Sequence, residues 1–291
     1  MFSAKTLESE ISTVFYLILA LLCSVMITVF MRLSERYRKN PTSMLAMNYL
    51  MCALLAIAFS GQLTLFPKAD GLPVTLLLGS ICGALFLGSF LLLQWNVSRN
   101  GVALPATFMK LGVLVPTLLS ALIFGEELTI LRLLGVAVAV AAILLMQESG
   151  QKGKGASMAG LIILLLSGGL SDFMSKIYEE LGEPALKNQY LLYTFVVALI
   201  LCAILCLLRK QSLCWQDALF GLLIGIPNYF SARFLLSSLN QLPAVVVYPT
   251  FSAGTIVLTT LAGLILFKEK LSARKWLALG VILGALVLLN L

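Results

Sequence analysis

The sequence contains no histidine. This absence excludes zinc sites of the HExxH type, Ser-His nucleophile pairs and histidine proton relays. Charge is also scarce, since 11% of the residues are Asp, Glu, Lys or Arg, against about a quarter in a typical soluble domain. The six cysteines include no CxxC pair, and all but Cys214 lie in apolar runs. This pattern favours small buried apolar residues over a metal site or a disulfide framework.

Other signatures of enzymes are missing as well. The sequence has no GxxxxGK[ST] motif and no loop long enough for a nucleotide-binding domain, so we do not expect ATP hydrolysis. Asp172 is the one acidic residue in the middle of an apolar run, so a paired-carboxylate mechanism cannot be assembled. The first apolar run lacks a small-residue cleavage site, so no cleavable signal peptide is predicted. We expect a protein without enzymatic activity and without a cofactor.

What the chain has in abundance is apolar surface. Sixty per cent of its 291 residues are apolar, and the mean hydropathy is +1.02. Polar groups cannot cover that much apolar surface, so we expect the lipid bilayer to cover it. The formal charge of +7 comes from basic residues in short loops between apolar runs. That placement indicates membrane orientation rather than a nucleic-acid partner.

Ten apolar runs are long enough to cross a bilayer as helices. Each has about 16–25 residues, against roughly 30 Å of hydrocarbon at 1.5 Å per residue. The runs are 12–31, 42–61, 73–95, 105–129, 131–146, 158–178, 189–208, 217–237, 243–267 and 272–291. We therefore predict an all-α polytopic membrane protein with ten transmembrane helices.

The second half of the chain repeats the first at an offset of about 143 residues. Each half has a Thr-Phe pair, a Phe-x-Glu triplet and a GxxxG pair. These are Thr107 and Phe108 with Thr250 and Phe251, Phe124 and Glu126 with Phe267 and Glu269, and Gly79 and Gly83 with Gly221 and Gly225. Because five helices are an odd number, the two copies must cross the membrane in opposite senses. We predict inverted five-helix repeats at 12–147 and 158–291, a linker at 148–157, and a central cavity between the repeats.

Each half also carries a fourth helix with proline and threonine that ends in a similar motif, GEELT at 125–129 and KEKLS at 268–272. Ten spans in two such halves resemble the EamA-type drug/metabolite transporters from end to end. Lys268 departs from the family pattern, which has glycine there. The resemblance implies a secondary carrier or exporter with a central cavity lined mainly by spans 1, 3, 4, 6, 8 and 9.

The expected substrate is a small polar or amphipathic metabolite, such as an amino acid or an organic anion, moved by alternating access. Two alternatives on the same fold stay open, a flippase for a lipid-linked headgroup and a facilitative multidrug or metabolite carrier. We expect a monomer in the cell membrane that has a small-molecule substrate and lipid, but no nucleic acid, as its partners.

Four charged residues lie well inside the spans or at their inner ends: Lys110, Asp172, Lys176 and Arg233. Such groups usually face a bundle interior or a wet cavity. At 1.5 Å per residue, Lys110 and Asp172 lie about 12 and 21 Å from the same side. Arg233 should then be level with Asp172, and Lys110 nearer the opposite face. Our hypothesis is an ion pair between Asp172 and Arg233, with Lys110 left to bind an anionic group of the substrate.

The alternative gives these cations structural roles. Arg233 and Lys176 would extend to the membrane interface, and Lys110 would hydrogen-bond helix carbonyls. The interfacial position suits Lys176 best. If transport is coupled to protons, Asp172 is the candidate carrier, because burial and an adjacent cation act in opposite directions on a carboxyl group.

Uncharged polar and aromatic residues near prolines complete the candidate substrate site, since prolines free carbonyls and bend helices where a cavity wall or a gate can form. For any single Ser or Thr, a bond to its own backbone is the more common role. The candidates are Thr28, Thr107, Phe108, Asn228, Tyr229, Tyr248 and Thr250.

The orientation of the chain stays open. Thirteen of the 20 Lys and Arg residues lie in the loops that follow the odd-numbered spans, and five lie on the side of both termini. The positive-inside rule thus places both termini outside. The resemblance implies that both lie inside.

Overall fold

The computed structural model describes residues 4–60, 65–100, 103–146, 158–240, 242–268 and 272–289. Within these ranges the secondary structure is helical, without a strand. The helices are α1 Ala4–Ser34, α2 Pro41–Ala58, α3 Leu72–Asn100, α4 Ala103–Leu111, α5 Leu114–Phe124, α6 Ile130–Met146, α7 Met158–Leu181, α8 Lys187–Leu208, α9 Trp215–Ser238, α10 Ala244–Phe267 and α11 Ala273–Leu289. A short 3₁₀ turn, Pro184–Leu186, precedes α8.

The predicted all-α fold with ten helical spans is confirmed. Helices α4 and α5 together form one apolar segment, Pro105–Phe124, so the eleven described helices make ten segments. Eight of these have the length and hydropathy of membrane spans, and α6 and α11 are shorter at 17 residues each. The predicted boundaries are less accurate. Helix α1 begins at Ala4 and α3 ends at Asn100, since helices continue beyond their apolar portions.

Large apolar side chains cover the outside of the helices. Leu122, Leu207 and Ile265 are 80%, 78% and 74% exposed. A soluble protein rarely exposes contiguous apolar surface on this scale. The surface fits the acyl region of a bilayer, as the composition predicts.

The chain divides into two compact units. Unit 1 comprises Met1–Leu87 and Ile177–Asn240, and unit 2 comprises Gly88–Lys176 and Gln241–Leu291. Each unit therefore draws helices from both halves of the sequence. The predicted linker at 148–157 lies outside the described residues, and the two sequence repeats stay a prediction.

In unit 1, both GxxxG pairs mark close helix packing. A Cβ built on Gly79 or Gly83 would lie within 3 Å of atoms of α8, and one built on Gly221 or Gly225 would lie as close to atoms of α2. Small residues allow backbones to approach in this way. In the repeat scheme, α3 and α9 are counterparts, and so are α2 and α8, so each glycine pair packs on the second helix of the other half.

A buried carboxylate anchors the segment before α2 in unit 1. Asp217, in the first turn of α9, is fully buried and accepts hydrogen bonds from the backbone N–H groups of Lys39 and Asn40 at 2.9 and 3.1 Å. Proline follows at the first position of α2, where no N–H is needed. The start of α2 is thus fixed to the start of α9.

In unit 2, α6 packs against α11, and α10 packs against α5 and α11. Leu111, Ala142, Ile143, Ala253, Ile256 and Ile282 form a buried apolar cluster there. Gly135 of α6 approaches Leu289 of α11 so closely that a Cβ would lie 2.9 Å from its side chain. This core packs α4, α6, α10 and α11 together, and α4 and α10 also line the candidate site.

The two motif helices of unit 2 end in the same way. Gly125 after α5 has φ 67°, and Lys268 after α10 has φ 52°, both in the left-handed region. Their N–H groups donate to the carbonyls five residues earlier, Ser120 and Gly263. Lysine therefore adopts the backbone conformation that glycine adopts in the first motif, at the cost that a Cβ imposes there.

Candidate functional site

Unit 2 contains a cavity of about 340 Å³. Three helices supply most of its wall, with α4 and α10 each contributing one face at i, i+3, i+4 and i+7 spacing. The described lining is Leu93, Val97, Ala106, Met109, Lys110, Val113, Asp172, Tyr248, Phe251, Ser252 and Thr255. The wall is mainly apolar and carries one ammonium and one carboxylate group.

The helix that carries Lys110 is broken next to it. The N–H of Val113 bonds to the carbonyl of Lys110, and the N–H of Val115 bonds to Gly112, so the chain makes one tight turn between α4 and α5. Pro116 has no N–H to offer the Gly112 carbonyl, which is why the regular ladder fails here. Lys110 lies in the last turn of α4. The negative end of that helix stabilises its positive charge.

Lys110 and Asp172 face the same cavity and interact through their opposite charges. The expectation that Lys110 lies nearer the opposite face than Asp172 stays a prediction. The turn between α4 and α5 meets α7 where a Cβ on Gly169 would lie 2.3 Å from the carbonyl oxygen of Gly112. Lys110 and Asp172 are two and three residues from this contact, so the long lysine side chain bridges the remaining offset in depth.

Tyr248 connects the α10 wall to α7. Its hydroxyl donates a 2.7 Å hydrogen bond to the backbone carbonyl of Asp172. The ring is 2% exposed, and it lines the cavity. The bond fixes the height of Asp172 relative to Tyr248 and hence to Phe251, Ser252 and Thr255 on the same helical face.

Glu126 of the GEELT motif organises one end of this site. Its carboxylate accepts hydrogen bonds from the N–H groups of Ala244 and Val245, at 2.9 and 2.8 Å, and lies 3.0 Å from the ammonium of Lys176. The first two donors are the N-terminal groups of α10, which have no partner within their own helix. The motif that the sequence identified by resemblance thus has a defined structural role.

Lys176 is buried, whereas the sequence favoured a side chain that extends to the membrane interface. Its side chain is 5% exposed and paired with Glu126, and its ammonium lies 5.8 Å from the centre of the Phe124 ring. The apolar run around Lys176 indicated depth but could not show this partner, which is 50 positions earlier in the chain.

Three more predicted residues lie in unit 2. Thr107 is buried, and Phe108 and Thr250 are half-buried. The described cavity wall does not include them, although each adjoins or lies close to a residue that it does include. Their assignment to the substrate site stays a prediction.

The other predicted site residues lie in unit 1. Thr28 donates to the carbonyl of Ser24 on its own helix, the common role of a threonine in a membrane span. The Asn228 amide donates to Asn48 at 3.2 Å. Arg233 donates to the hydroxyl of the fully buried Tyr229 at 2.9 Å, with its guanidinium 5.3 Å from the centre of the Phe59 ring.

The Asp172–Arg233 ion pair stays a prediction, because its two members lie in different units. Within unit 2, Asp172 shares the cavity with the opposite charge of Lys110. Within unit 1, the half-buried guanidinium of Arg233 has an aromatic and hydroxyl environment that satisfies it in part.

Much of the cavity wall was missed in the sequence. Leu93, Val97, Ala106, Met109, Val113 and Phe251 carry no polar group that would single them out. For Ala106, Met109, Val113 and Phe251, the helical spacing around Lys110 and Tyr248 is a signal that could have identified them. Leu93 and Val97 lie on α3 and have no such signal. Among the described residues, no cluster of three or more His, Cys, Asp or Glu side chains could hold a metal ion.

Both halves of the chain resemble known families of membrane proteins. Residues 11–147 match the EamA-like transporter family, and residues 189–282 match the Small Multidrug Resistance protein family. The predicted resemblance to EamA-type drug/metabolite transporters is confirmed. Both matches indicate a membrane transporter of small molecules, and the EamA match with the apolar helices indicates a multi-pass protein of the lipid bilayer.

Similar full-length chains are also known. An uncharacterised protein of Haemophilus influenzae is 25% identical over 288 residues, which span 93% of this chain and 95% of that protein. A solved crystal structure has a TM-score of 0.74 at 16% identity and covers 95% of this chain and 96% of that chain. At that identity the likeness shows the fold alone, over nearly the whole of both chains.

Proposed function

We propose that this protein is a secondary active transporter that exports a small amphipathic metabolite across the cell membrane by alternating access between inverted repeats. The observation that carries the proposal is the placement of Lys110 and Asp172 in one apolar cavity. A charged pair in such a setting is costly unless it has a use, because ions at membrane depth require compensation.

The arrangement favours a zwitterion with an apolar body, such as an amino acid with an apolar side chain. The substrate carboxylate would bind the ammonium of Lys110, and its amino group would face Asp172. Met109, Val113 and Phe251 offer apolar contact for the rest of the molecule. An organic anion would use Lys110 alone.

Transport by reconstituted protein tests the assignment. Purified protein is screened by thermal shift against amino acids, organic acids, nucleotides and amines, and uptake of the best ligand is measured in proteoliposomes. We expect Lys110→Ala to reduce transport at least tenfold, while Lys110→Arg retains part of it. Lys68→Ala, at an exposed position, is the matched control. Full transport by Lys110→Ala would remove this residue from the site.

A second candidate substrate is a lipophilic cation. The mostly apolar wall, the carboxylate of Asp172 and the match to the Small Multidrug Resistance protein family favour it. The two substrates predict opposite patterns. Transport of tetraphenylphosphonium would be lost in Asp172→Asn and preserved or increased in Lys110→Ala, because the lysine repels a cation.

The remaining site residues belong to the same proposal. Asp172 is the group that would couple transport to protons, and the predicted Asp172–Arg233 pair would form or break as the protein changes state. Thr28, Thr107, Phe108, Asn228, Tyr229 and Thr250 would complete the substrate path.

A further inference from the structure

Asp172 and Lys176 lie four residues apart on α7. Opposite charges at this spacing share a helix face and pair readily. In the structure Lys176 pairs with Glu126 at 3.0 Å, while Asp172 lines the cavity together with Lys110. Lys110 and Asp172 thus line the cavity, whereas Lys176 and Glu126 form a buried ion pair that does not line it.

We propose that Glu126 determines the charge of the cavity by holding Lys176 away from Asp172. The inference rests on the proposed function only in taking this cavity as the substrate site. With Lys176 held, Lys110 and Asp172 balance each other, and both are available to a zwitterionic substrate. Glu126 is therefore a positioning residue that acts on selectivity without lining the cavity.

The burial of the Lys176–Glu126 ion pair explains why Glu126 is needed. The side chains of Lys176 and Glu126 are 5% and 10% exposed. A buried ammonium that loses its counter-charge is strongly destabilised. Asp172, one turn away on the same helix, is then an available carboxylate for Lys176. Removal of the Glu126 charge would make Lys176 compete with Lys110 for Asp172 and leave the cavity with a net positive charge.

The N-terminus of α10 makes Glu126 a stable anchor. Ala244 and Val245 donate to separate carboxylate oxygens, and the positive end of the helix favours an anion there. The same helix carries Tyr248, one turn further on, into the cavity wall. Glu126 is thus fixed to α10, the helix that forms one wall of the cavity, and it holds Lys176 from that position.

The test measures cavity charge without a substrate. Ser252, which lines the cavity, is replaced in Ser252→Cys, and the thiol is reacted with a cationic and an anionic methanethiosulfonate reagent. The parent chain with its native cysteines gives the background. We expect Glu126→Gln to raise the ratio of anionic to cationic reaction rates about tenfold, as a unit charge at close range would. In Glu126→Gln/Lys176→Gln the ratio should return close to the parent value.

Two controls separate this role from simple stabilisation. Glu127→Gln, at the exposed neighbouring position, should leave the ratio unchanged. Glu126→Asp keeps the charge but shortens its reach, so a smaller shift of the same sign is expected, and it serves if the amide variant does not fold. An anchor for α10 alone would lower thermal stability in the Glu126 variants without moving the ratio.

An unchanged ratio in the Glu126 variants would overturn the proposal. A shift that persists in the double variant would also overturn it, because Lys176 would not be its cause. Since no substrate is used, the result is independent of the transport test on Lys110, and either proposal can fail alone.

Discussion

The hydroxyl of Tyr248 donates a 2.7 Å hydrogen bond to the backbone carbonyl of Asp172. Asp172 lies in the middle of α7, and Tyr248 lies in the first half of α10. Both helices come from the second half of the sequence. A side chain that bonds to a helix carbonyl fixes the position of that helix without changing the charge of its residues. The tyrosine thus sets where the carboxylate of Asp172 enters the cavity.

Tyr248→Phe should therefore affect transport as well as stability. We expect a loss of about 1 kcal/mol of stability from the missing bond, together with a raised KM because Asp172 is less well placed. Thermal unfolding in detergent and transport kinetics measure the two effects. Tyr193→Phe removes an analogous bond, to the carbonyl of Leu65 in unit 1. An equal change of KM in both variants would contradict the specific role of Tyr248.

Gly169→Ala should disrupt the contact of α7 with the turn before α5 and with the first residues of α5. Its Cβ would lie 2.3 Å from the Gly112 carbonyl oxygen and 2.5 Å from the Val115 side chain. We expect destabilisation by about 1–3 kcal/mol, as for other overpacked cores. The neighbouring Gly168→Ala is the matched control, because its nearest contact is Met109 at 3.9 Å. If the two variants unfold at the same temperature, the close packing at Gly169 is not required.

Lys268→Gly should stabilise the protein. At φ 52° the lysine Cβ is strained, and glycine relieves that strain by about 1 kcal/mol. Lys268→Ala removes the charge without relieving the strain and should give no comparable gain. Gly125→Ala, at φ 67°, should destabilise by a similar amount. Thermal unfolding of the three variants checks all of these signs together.

Asp217→Asn should weaken unit 1. The amide keeps one acceptor oxygen but turns an NH₂ group toward a backbone N–H, which leaves a buried donor unsatisfied at about 1–3 kcal/mol. Asp70→Asn, at an exposed position, should be close to neutral. Chemical or thermal unfolding compares the pair, and equal stability of the two would show that the Asp217 bonds contribute nothing net.

Asp172→Asn should uncouple transport from the proton gradient. An amide cannot take up or release a proton, so accumulation driven by an imposed pH difference should disappear. Exchange of a zwitterionic substrate should continue with a raised KM, because the amide oxygen still accepts a hydrogen bond from its amino group. Proteoliposome uptake with and without the gradient, followed by counterflow, measures both activities. Asp70→Asn is the control. Retained pH-driven accumulation in Asp172→Asn would exclude this carboxyl as the coupling group.

Hydropathy was sufficient to predict the helices because it reports which segments lipid must cover. The internal repeat located the glycine pairs at which α3 and α9 pack closely on α8 and α2, and small residues at this spacing allow helices to approach. The helix boundaries were less accurate, as at Ala4, because a helix does not stop where its apolar residues do.

The contacts of Glu126 could not be predicted in the same way. Its partners Lys176 and Ala244 are 50 and 118 positions away, and no local pattern indicates which donors a carboxylate will find. The part of the cavity wall on α4 and α10, in contrast, follows a helical spacing around Lys110 and Tyr248 that the sequence contains.

The break between α4 and α5 gives this segment the mechanics of a lever. Lys110 lies on one arm, and Glu126 follows the far end of the other, which is 11 residues long. A tilt of about 10° at the break would move that end by roughly 3 Å, at 1.5 Å per residue. Because Glu126 is bonded to the first residues of α10, such a displacement would pull on α10 directly. A tilt at this break would therefore displace the GEELT motif and change the separation of the charges in the cavity at the same time.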